Sequence, residues 1–123
     1  MWVVTWNDGG MSLLTEVVIV TSGGEQGAIA FVNGTMAAHS EHPAYFELCK
    51  VSDAMRYGGG KVTSTEVWGG CFNYLPLTEF TDALAAAPWA FPWSVLACIE
   101  YEMADGLEVW TPRDGFLRKA GPA

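Results

Sequence analysis

Positive charge is scarce in this chain of 123 residues. It has 6 Lys and Arg against 14 Asp and Glu, which gives a formal net charge of −8 at pH 7. No Lys or Arg precedes Lys50, and none lies between Lys61 and Arg113. Because the phosphate backbone of a nucleic acid carries dense negative charge, it should repel such a chain. The composition therefore argues against direct nucleic-acid binding and favours attraction to a basic surface.

Cysteines are few, and long hydrophobic runs are lacking. The three cysteines, Cys49, Cys71 and Cys98, are odd in number and far apart, whereas a disulfide framework needs an even and denser set. We expect reduced thiols that behave as small buried hydrophobes, as in a cytoplasmic protein. The uncharged stretch 83–99 has 17 residues, too short for a membrane span, and two prolines interrupt it. A basic signal-peptide region is not seen at the N-terminus either.

Motifs for metal, phosphate or nucleophilic chemistry are missing as well. His39 and His42 flank Glu41, but no third or fourth ligand follows at a suitable spacing, so we expect surface histidines. The glycine run at 58–61 lacks the first glycine and the Ser or Thr of a Walker loop. Cys71 has no local nucleophile signature and is expected to be a buried structural thiol. We predict no catalytic residue, no metal site and no cofactor.

The residues that are present predict a strand-rich domain. The chain is 50% hydrophobic and only 16% charged, which is typical of a folded domain with its own core. β-Branched residues predict a buried strand at 13–21, followed by a turn at Ser22-Gly23-Gly24-Glu25. Further strands are predicted at 2–6, at 28–32 before an Asn33-Gly34 turn, at 61–68, and at 71–75 after a break at Gly69-Gly70.

Helical signals occur in two segments. The clearer helix is 78–87, which has Thr78 as its cap and Pro88 as its stop. Segment 40–57 is ambiguous. As a helix it has Ser40 as a cap, Gly58 as its end and an apolar stripe at i, i+4, i+7 and i+11; as a strand it would run over 45–51. We favour the helix, because the stripe and both end signals agree.

Segments 94–103 and 107–111 predict a hairpin around Ala104-Asp105-Gly106. A two-residue loop would mix the polar and apolar faces of the two strands. A three-residue loop pairs Met103 with Leu107 and leaves the apolar residues of the first strand on one buried face, so we favour this register. It places four side chains together on the outer face: Glu100, Glu102, Glu108 and Trp110.

These four outer residues form the predicted partner-binding patch. Like charges that oppose each other on a sheet are destabilising, so Glu102 opposite Glu108 suggests a site for a cation, either a metal or a partner's Lys or Arg. The alternative is a solvated sheet face with no role. A second candidate surface is aromatic. It contains Trp89, Phe91 and Trp93, which are expected to pack in the core or to contact a partner.

The predicted fold class is α+β, with a mostly antiparallel sheet of five to seven strands and one or two helices packed on one face. One domain is expected to cover 1–123, with 113–123 as a loosely ordered tail. The leading predicted function is a non-catalytic acidic protein that presents its negative surface to a basic protein site, such as a nucleic-acid-binding groove. Small phage-encoded inhibitors, anti-CRISPR proteins among them, share this profile by composition alone. The alternatives are a small enzyme or ligand-binding domain with a pocket lined by 89–93, and a homo-oligomer subunit.

Overall fold

The fold is built around one antiparallel sheet. The computed structural model describes residues 6–7, 10–11, 14–39, 46–51, 64–102, 106–113 and 116–119. The helices are α1 (Gln26–Ala38) and α2 (Leu77–Ala86), with a 3₁₀ turn at Pro92–Ser94. The strands are β1 (Trp6–Asn7), β2 (Gly10–Met11), β3 (Leu14–Thr21), β4 (Cys49–Lys50), β5 (Glu66–Asn73), β6 (Leu96–Tyr101), β7 (Leu107–Arg113) and β8 (Phe116–Lys119).

Six of these strands form the main sheet in the order β4-β5-β3-β6-β7-β8, and every neighbouring pair is antiparallel. Strands β1 and β2 pair separately as a short antiparallel ribbon. This arrangement, with two helices, confirms the predicted α+β class and strand number. Within 113–123, where the sequence suggested a loose tail, Phe116–Lys119 pairs with β7 as β8.

The central strand β3 shows how the layers are arranged. Its residues alternate between buried side chains, such as Val17 and Ile19, and exposed ones, such as Glu16 and Val18. The buried set belongs to the same core as the inner faces of α1 and α2. The helices cover this face of the sheet. Each aliphatic side chain that is fully buried between the two layers contributes roughly 1.5–3 kcal/mol to the free energy of folding. We call the other face, which carries Glu16 and Val18, the open face.

The strand predicted at 28–32 is wrong, because these residues belong to α1. Ala28, Val32 and Met36 are buried at i, i+4 and i+8, which is a helical stripe. The Asn33-Gly34 pair lies inside the helix and makes no turn. The carboxamide of Asn33 instead binds the backbone of Leu48, with its Oδ1 accepting the Leu48 N–H at 2.8 Å and its Nδ2–H donating to the Leu48 carbonyl at 3.3 Å.

The helix predicted at 40–57 is also wrong where the structure describes it. Residues 46–48 are extended and Cys49–Lys50 is the short edge strand β4. Both backbone hydrogen-bonding groups of Leu48 bind Asn33, so they cannot serve an α-helical ladder. Phe46 and Leu48 are buried while Glu47 and Cys49 are exposed, a period of two residues. Positions 40–45 and 52–57 lie outside the described residues.

The break predicted at Gly69-Gly70 is wrong, because β5 runs through both glycines without interruption. A side chain at Gly69 would place its Cβ 3.0 Å from the Val17 carbonyl oxygen, and one at Gly70 would overlap the Phe72 ring. Gly69 therefore allows close approach to the backbone of β3, and Gly70 leaves room for the Phe72 ring of its own strand, so neither glycine ends the strand.

Several other predictions are confirmed with small shifts in their bounds. The strand predicted at 13–21 is β3, and the turn after it has positive φ angles at Gly23 and Gly24. The helix predicted at 78–87 is α2, although its N-cap position is Pro76 and not Thr78. Of the strand predicted at 2–6, the structure describes only Trp6, in β1. None of the helices described is long and apolar enough to cross a membrane.

Candidate functional site

The predicted hairpin is present, but its register differs from the one favoured by the sequence. Glu100 pairs with Leu107 and Ile99 with Glu108, where the prediction paired Met103 with Leu107. The shift changes the pairing by an odd number of residues, so it turns the side chains of β7 to the opposite face. Ala97 and Ile99 of β6 stay buried as expected, while Leu107 points outward and is 62% exposed.

The predicted patch of four residues is therefore divided between the two faces. Glu108 and Trp110 pair with Ile99 and Ala97, so they lie on the helix-covered face. The Trp110 ring packs against the core, and its Nε1–H donates to Glu108 Oε1 at 2.6 Å. Burial of this large indole stabilises the fold by more than burial of the Leu107 side chain would, which explains the register. Glu100 shares the open face with Glu16, and Glu102 does not oppose Glu108.

The open face carries a different acidic group from the one predicted. Glu16 on β3 lies directly opposite Glu100 on β6. Glu102 follows at the same end of these two strands, where its backbone bonds to Leu14. We call Glu16, Glu100 and Glu102 the acidic end. Directly opposed residues on neighbouring antiparallel strands have Cβ atoms about 4.5–5.5 Å apart, so the Glu16 and Glu100 carboxylates repel each other. The sequence could not show this pair, because its members are 84 positions apart (100 − 16).

Glu102 is partly enclosed at this end of the sheet. Its Oε1 accepts the Leu14 N–H at 3.2 Å, and its own N–H donates to the Leu14 carbonyl at 3.1 Å. Its Oε2 is buried and has no hydrogen-bond partner in the described part of the chain. An unsatisfied buried acceptor costs the fold free energy, and because this oxygen is buried, a donor from outside the chain does not reach it.

All three cysteines lie on the open face, which corrects the expectation that they are buried. Cys49, Gly69, Val18 and Cys98 follow one another across four paired strands, and Cys71 lies beside Glu16 in the next row. Cys49 and Cys71 are exposed, Cys98 is half-buried, and none of the three forms a disulfide. The register of β5 puts Phe72 into the core, so Cys71 must face outward.

The acidic end acts on the thiol of Cys71. Partial burial of the thiol raises its pKa, and the negative charges of Glu16 and Glu102 raise it further. Burial of the thiol is the larger cause of the raised pKa, although the residue as a whole is exposed. The smaller contribution of charge follows from the pairing of Glu16 with Cys71 on neighbouring strands. Since the raised pKa favours the neutral thiol, Cys71 stabilises the fold below the ordinary thiol pKa. This contribution is lost as the pH rises through the raised value.

We expect Glu16→Gln to increase the alkylation rate of Cys71 by iodoacetamide at pH 8.5 about two- to fivefold, because the thiolate is the reactive form. In a Cys98→Ala background, mass spectrometry of the tryptic peptide 62–113 reports Cys71 alone. The exposed Cys49 in the same sample controls for reagent and unfolding. An unchanged rate would show that Glu16 does not act on this thiol.

Beyond the acidic end, the open face is apolar. Val18, Leu96 and Leu107 are all more than a third exposed, and Val20, Val67 and Val109 are half-buried. Single exposed aliphatic residues are common, but this group is contiguous across β5, β3, β6 and β7. The open face thus combines negative charge at one end with exposed hydrophobic surface along the rest.

Two residues of the predicted aromatic surface are exposed, and the third packs on the core. Phe91 and Trp93 are 43% and 71% exposed and make an edge-to-face contact with ring centroids 5.7 Å apart. Trp89 is half-buried and packs on the core, and its Nε1–H donates to the Leu84 carbonyl at 2.9 Å near the end of α2. A partner contact by Phe91 and Trp93 stays a prediction.

A buried carboxylate that the sequence analysis missed holds the aromatic segment in place. Glu25 is 1% exposed and stands at the N-cap position of α1. Its Oε1 accepts the Ala90 N–H at 2.8 Å and its Oε2 accepts the Phe91 N–H at 2.9 Å. The signal available in the sequence was a glutamate in a glycine turn before an apolar run, but the run was interpreted as a strand.

The described residues include acidic and basic groups that bear on metal ligation and charge neutralisation. Within these residues no group of three or more His, Cys, Asp or Glu is arranged to hold a metal ion. Lys50 forms an ion pair with Glu66 at 3.1 Å, on the side of the sheet away from the acidic end. His39 is exposed at the end of α1, while His42, segment 58–61 and the side chains of Arg113, Arg118 and Lys119 lie outside the described part.

Comparison of the chain with protein-family models, with curated proteins and with solved structures gives no match.

Proposed function

We propose that this protein is a non-catalytic binding protein whose acidic end receives a basic site on a partner protein. The observation that carries the proposal is the direct opposition of Glu16 and Glu100 on an open sheet face. Two opposed carboxylates reduce the stability of the sheet when they stand alone. A partner's Lys or Arg between them would remove this repulsion and would donate charge-assisted hydrogen bonds to both carboxylates.

The overall charge supports the same proposal at longer range. A net charge of −8 steers cationic surfaces toward the protein and repels nucleic acid. The finer form of the proposal is that the protein occupies a nucleic-acid-binding groove of its partner and competes there with phosphate backbones. The free thiols are suited to a reducing compartment such as the cytoplasm.

Binding of a labelled hexa-arginine peptide, followed by fluorescence anisotropy, tests the acidic end. We expect the Glu16→Gln/Glu100→Gln variant to bind about tenfold more weakly than wild type at ~50 mM salt, and the difference to shrink at ~300 mM. The matched control is Glu79→Gln/Asp82→Asn, which removes the same charge from exposed positions on α2. This control should bind within about twofold of wild type, because α2 lies across the sheet.

The outcomes separate a site from a general charge effect. The free energy of unfolding of the Glu16→Gln/Glu100→Gln variant should be higher than that of wild type by roughly 0.2–1 kcal/mol, because the repulsion is removed. Weaker binding by this variant would therefore not reflect unfolding. Equal weakening by both double variants would mean that only net charge matters, and the proposal would then fail.

The finer form of the proposal predicts that the protein releases a labelled DNA duplex from a basic DNA-binding domain. The Glu16→Gln/Glu100→Gln variant should release the duplex less well.

A further inference from the structure

A cleft lies at the edge of β5, next to the acidic end. It has a volume of about 180 Å³. Its apolar walls come from buried residues and its rim from exposed ones, and the six that matter are Met36, Phe46, Phe72 and Leu75, with Cys71 and Asn73 at the rim. An apolar cavity of about 150 Å³ is large enough for a benzene ring, so this cleft has room for one apolar side chain.

The cleft exists because β4 is short. Its two residues pair with β5 at Trp68 and Gly69, so β4 does not extend along the edge of Cys71–Asn73. Phe46 forms a wall there by stacking on Phe72, with ring centroids 4.4 Å apart. At the far end Tyr74 has a φ of 51°, a left-handed conformation that is uncommon for a bulky residue and turns the chain into α2.

The rim of the cleft is contiguous with the acidic end. Cys71 lines the cleft and pairs with Glu16, and Asn73 pairs with Leu14, whose N–H binds Glu102. Neighbouring strands are about 4.8 Å apart, so the carboxylates stand roughly one strand from the opening. The raised pKa of Cys71 indicates that the charges of Glu16 and Glu102 reach the rim.

We propose that the cleft receives one apolar side chain of the basic partner, while an adjacent Lys or Arg of the same partner segment binds Glu16 of the acidic end. This inference rests on the proposed function and specifies the chemistry of the partner: a cationic residue beside an aromatic or aliphatic one. The negative charge at the rim selects the cation, and the apolar walls select its neighbour.

Three capped dipeptides test this pairing by NMR titration of the ¹⁵N-labelled protein: acetyl-Phe-Arg-amide, its neutral isostere acetyl-Phe-citrulline-amide, and acetyl-Ala-Arg-amide. We expect Phe-Arg to shift the amide signals of Cys71, Asn73 and Leu75 and to bind at least fivefold more tightly than either of the others. Asn73→Trp, which obstructs the rim, should abolish this preference for Phe over Ala. Leu96→Trp places the same side chain at the other end of the open face and should preserve the preference.

Each outcome has a definite meaning. Equal binding of Phe-Arg and Ala-Arg, or a preference that survives in Asn73→Trp, overturns the role of the cleft while the acidic end still binds cations. Equal binding of Phe-Arg and Phe-citrulline overturns the cation pairing. Loss of all dipeptide binding overturns this inference alone if hexa-arginine still binds through Glu16 and Glu100. Loss of both binding activities overturns the proposed function as well. Thermal unfolding of both Trp variants verifies that they fold.

Discussion

Replacement of Glu25 by alanine is expected to lower the free energy of unfolding by about 3 kcal/mol, or the melting temperature by roughly 10 °C. The carboxylate is 1% exposed and accepts two backbone N–H groups, those of Ala90 and Phe91. Hydrogen bonds to a charged group contribute roughly 1.5–3 kcal/mol each, and their removal leaves two donors unsatisfied. Relief of the desolvation of the carboxylate offsets part of this loss.

Two further substitutions make this expectation specific. Glu25→Gln keeps the side-chain size but retains only one acceptor oxygen, so it should cost roughly half as much as Glu25→Ala. Glu47→Ala removes the same charge from an exposed position and should change stability by less than about 0.5 kcal/mol. Chemical denaturation measures all three variants, and amide exchange at Ala90 and Phe91 reports the local loss. A Glu25→Ala variant as stable as Glu47→Ala would show that the two bonds do not hold the segment.

Replacement of Gly70 by alanine should destabilise the protein by about 2–3 kcal/mol, because the new methyl group would overlap the Phe72 ring. That ring stacks on Phe46, which in turn contacts Phe80 at a centroid distance of 5.8 Å. Displacement of the ring therefore disturbs a chain of aromatic contacts, each worth roughly 0.5–1.5 kcal/mol. Thermal and chemical unfolding measure the loss.

The neighbouring glycine provides the control. Gly69→Ala places its methyl group on the open face, 3.0 Å from the Val17 carbonyl oxygen, so a small adjustment suffices and the cost should stay below about 1 kcal/mol. A double-mutant cycle with Phe72→Ala tests the cause. Once the ring is gone, Gly70→Ala should cost almost nothing more, a coupling of about 2 kcal/mol. Additive effects would mean that the methyl group conflicts with something other than Phe72.

The local composition of the sequence was sufficient to predict the fold class and the positions of β3 and α2. The β-branched run in β3 and the alanine-rich sequence of α2 carry signals that lie within the segment itself. Such signals do not depend on what the rest of the chain does. They were enough to predict an antiparallel α+β architecture with a hairpin near the C-terminal end.

The errors arose where a distant contact decided the local structure. Taken alone, the Asn33-Gly34 pair indicates a turn, but the carboxamide of Asn33 forms hydrogen bonds with the backbone of Leu48. This contact fixes Asn33 within α1 and holds residue 48, in the segment predicted as a second helix, in an extended conformation. Gly70 indicates a break, but it makes room for the Phe72 ring. Nothing within either segment carries this information.

Two of the three residues of the acidic end, Glu100 and Glu102, belong to the predicted patch, but the carboxylate that opposes Glu100 was not predicted. The sequence indicated an acidic pair on an outer sheet face, and the structure has such a pair, but it joins Glu16 to Glu100. A hairpin pattern relates only segments that are adjacent in sequence, so it carries no information about β3. Leu107 was predicted to be a core residue, whereas Trp110 packs against the core from the other side of β7.

The position of β3 at the centre of the sheet also has a consequence for how the chain folds. Its two neighbours, β5 and β6, begin at Glu66 and Leu96, far downstream of Thr21. A nascent chain that has emerged only through α1 holds the central strand with neither edge protected. Such high contact order slows folding and prolongs the exposure of an aggregation-prone strand. The carboxylate of Glu16, which directly precedes the β-branched residues from Val17 onward, is expected to oppose self-association during that interval, as charges beside hydrophobic strands do.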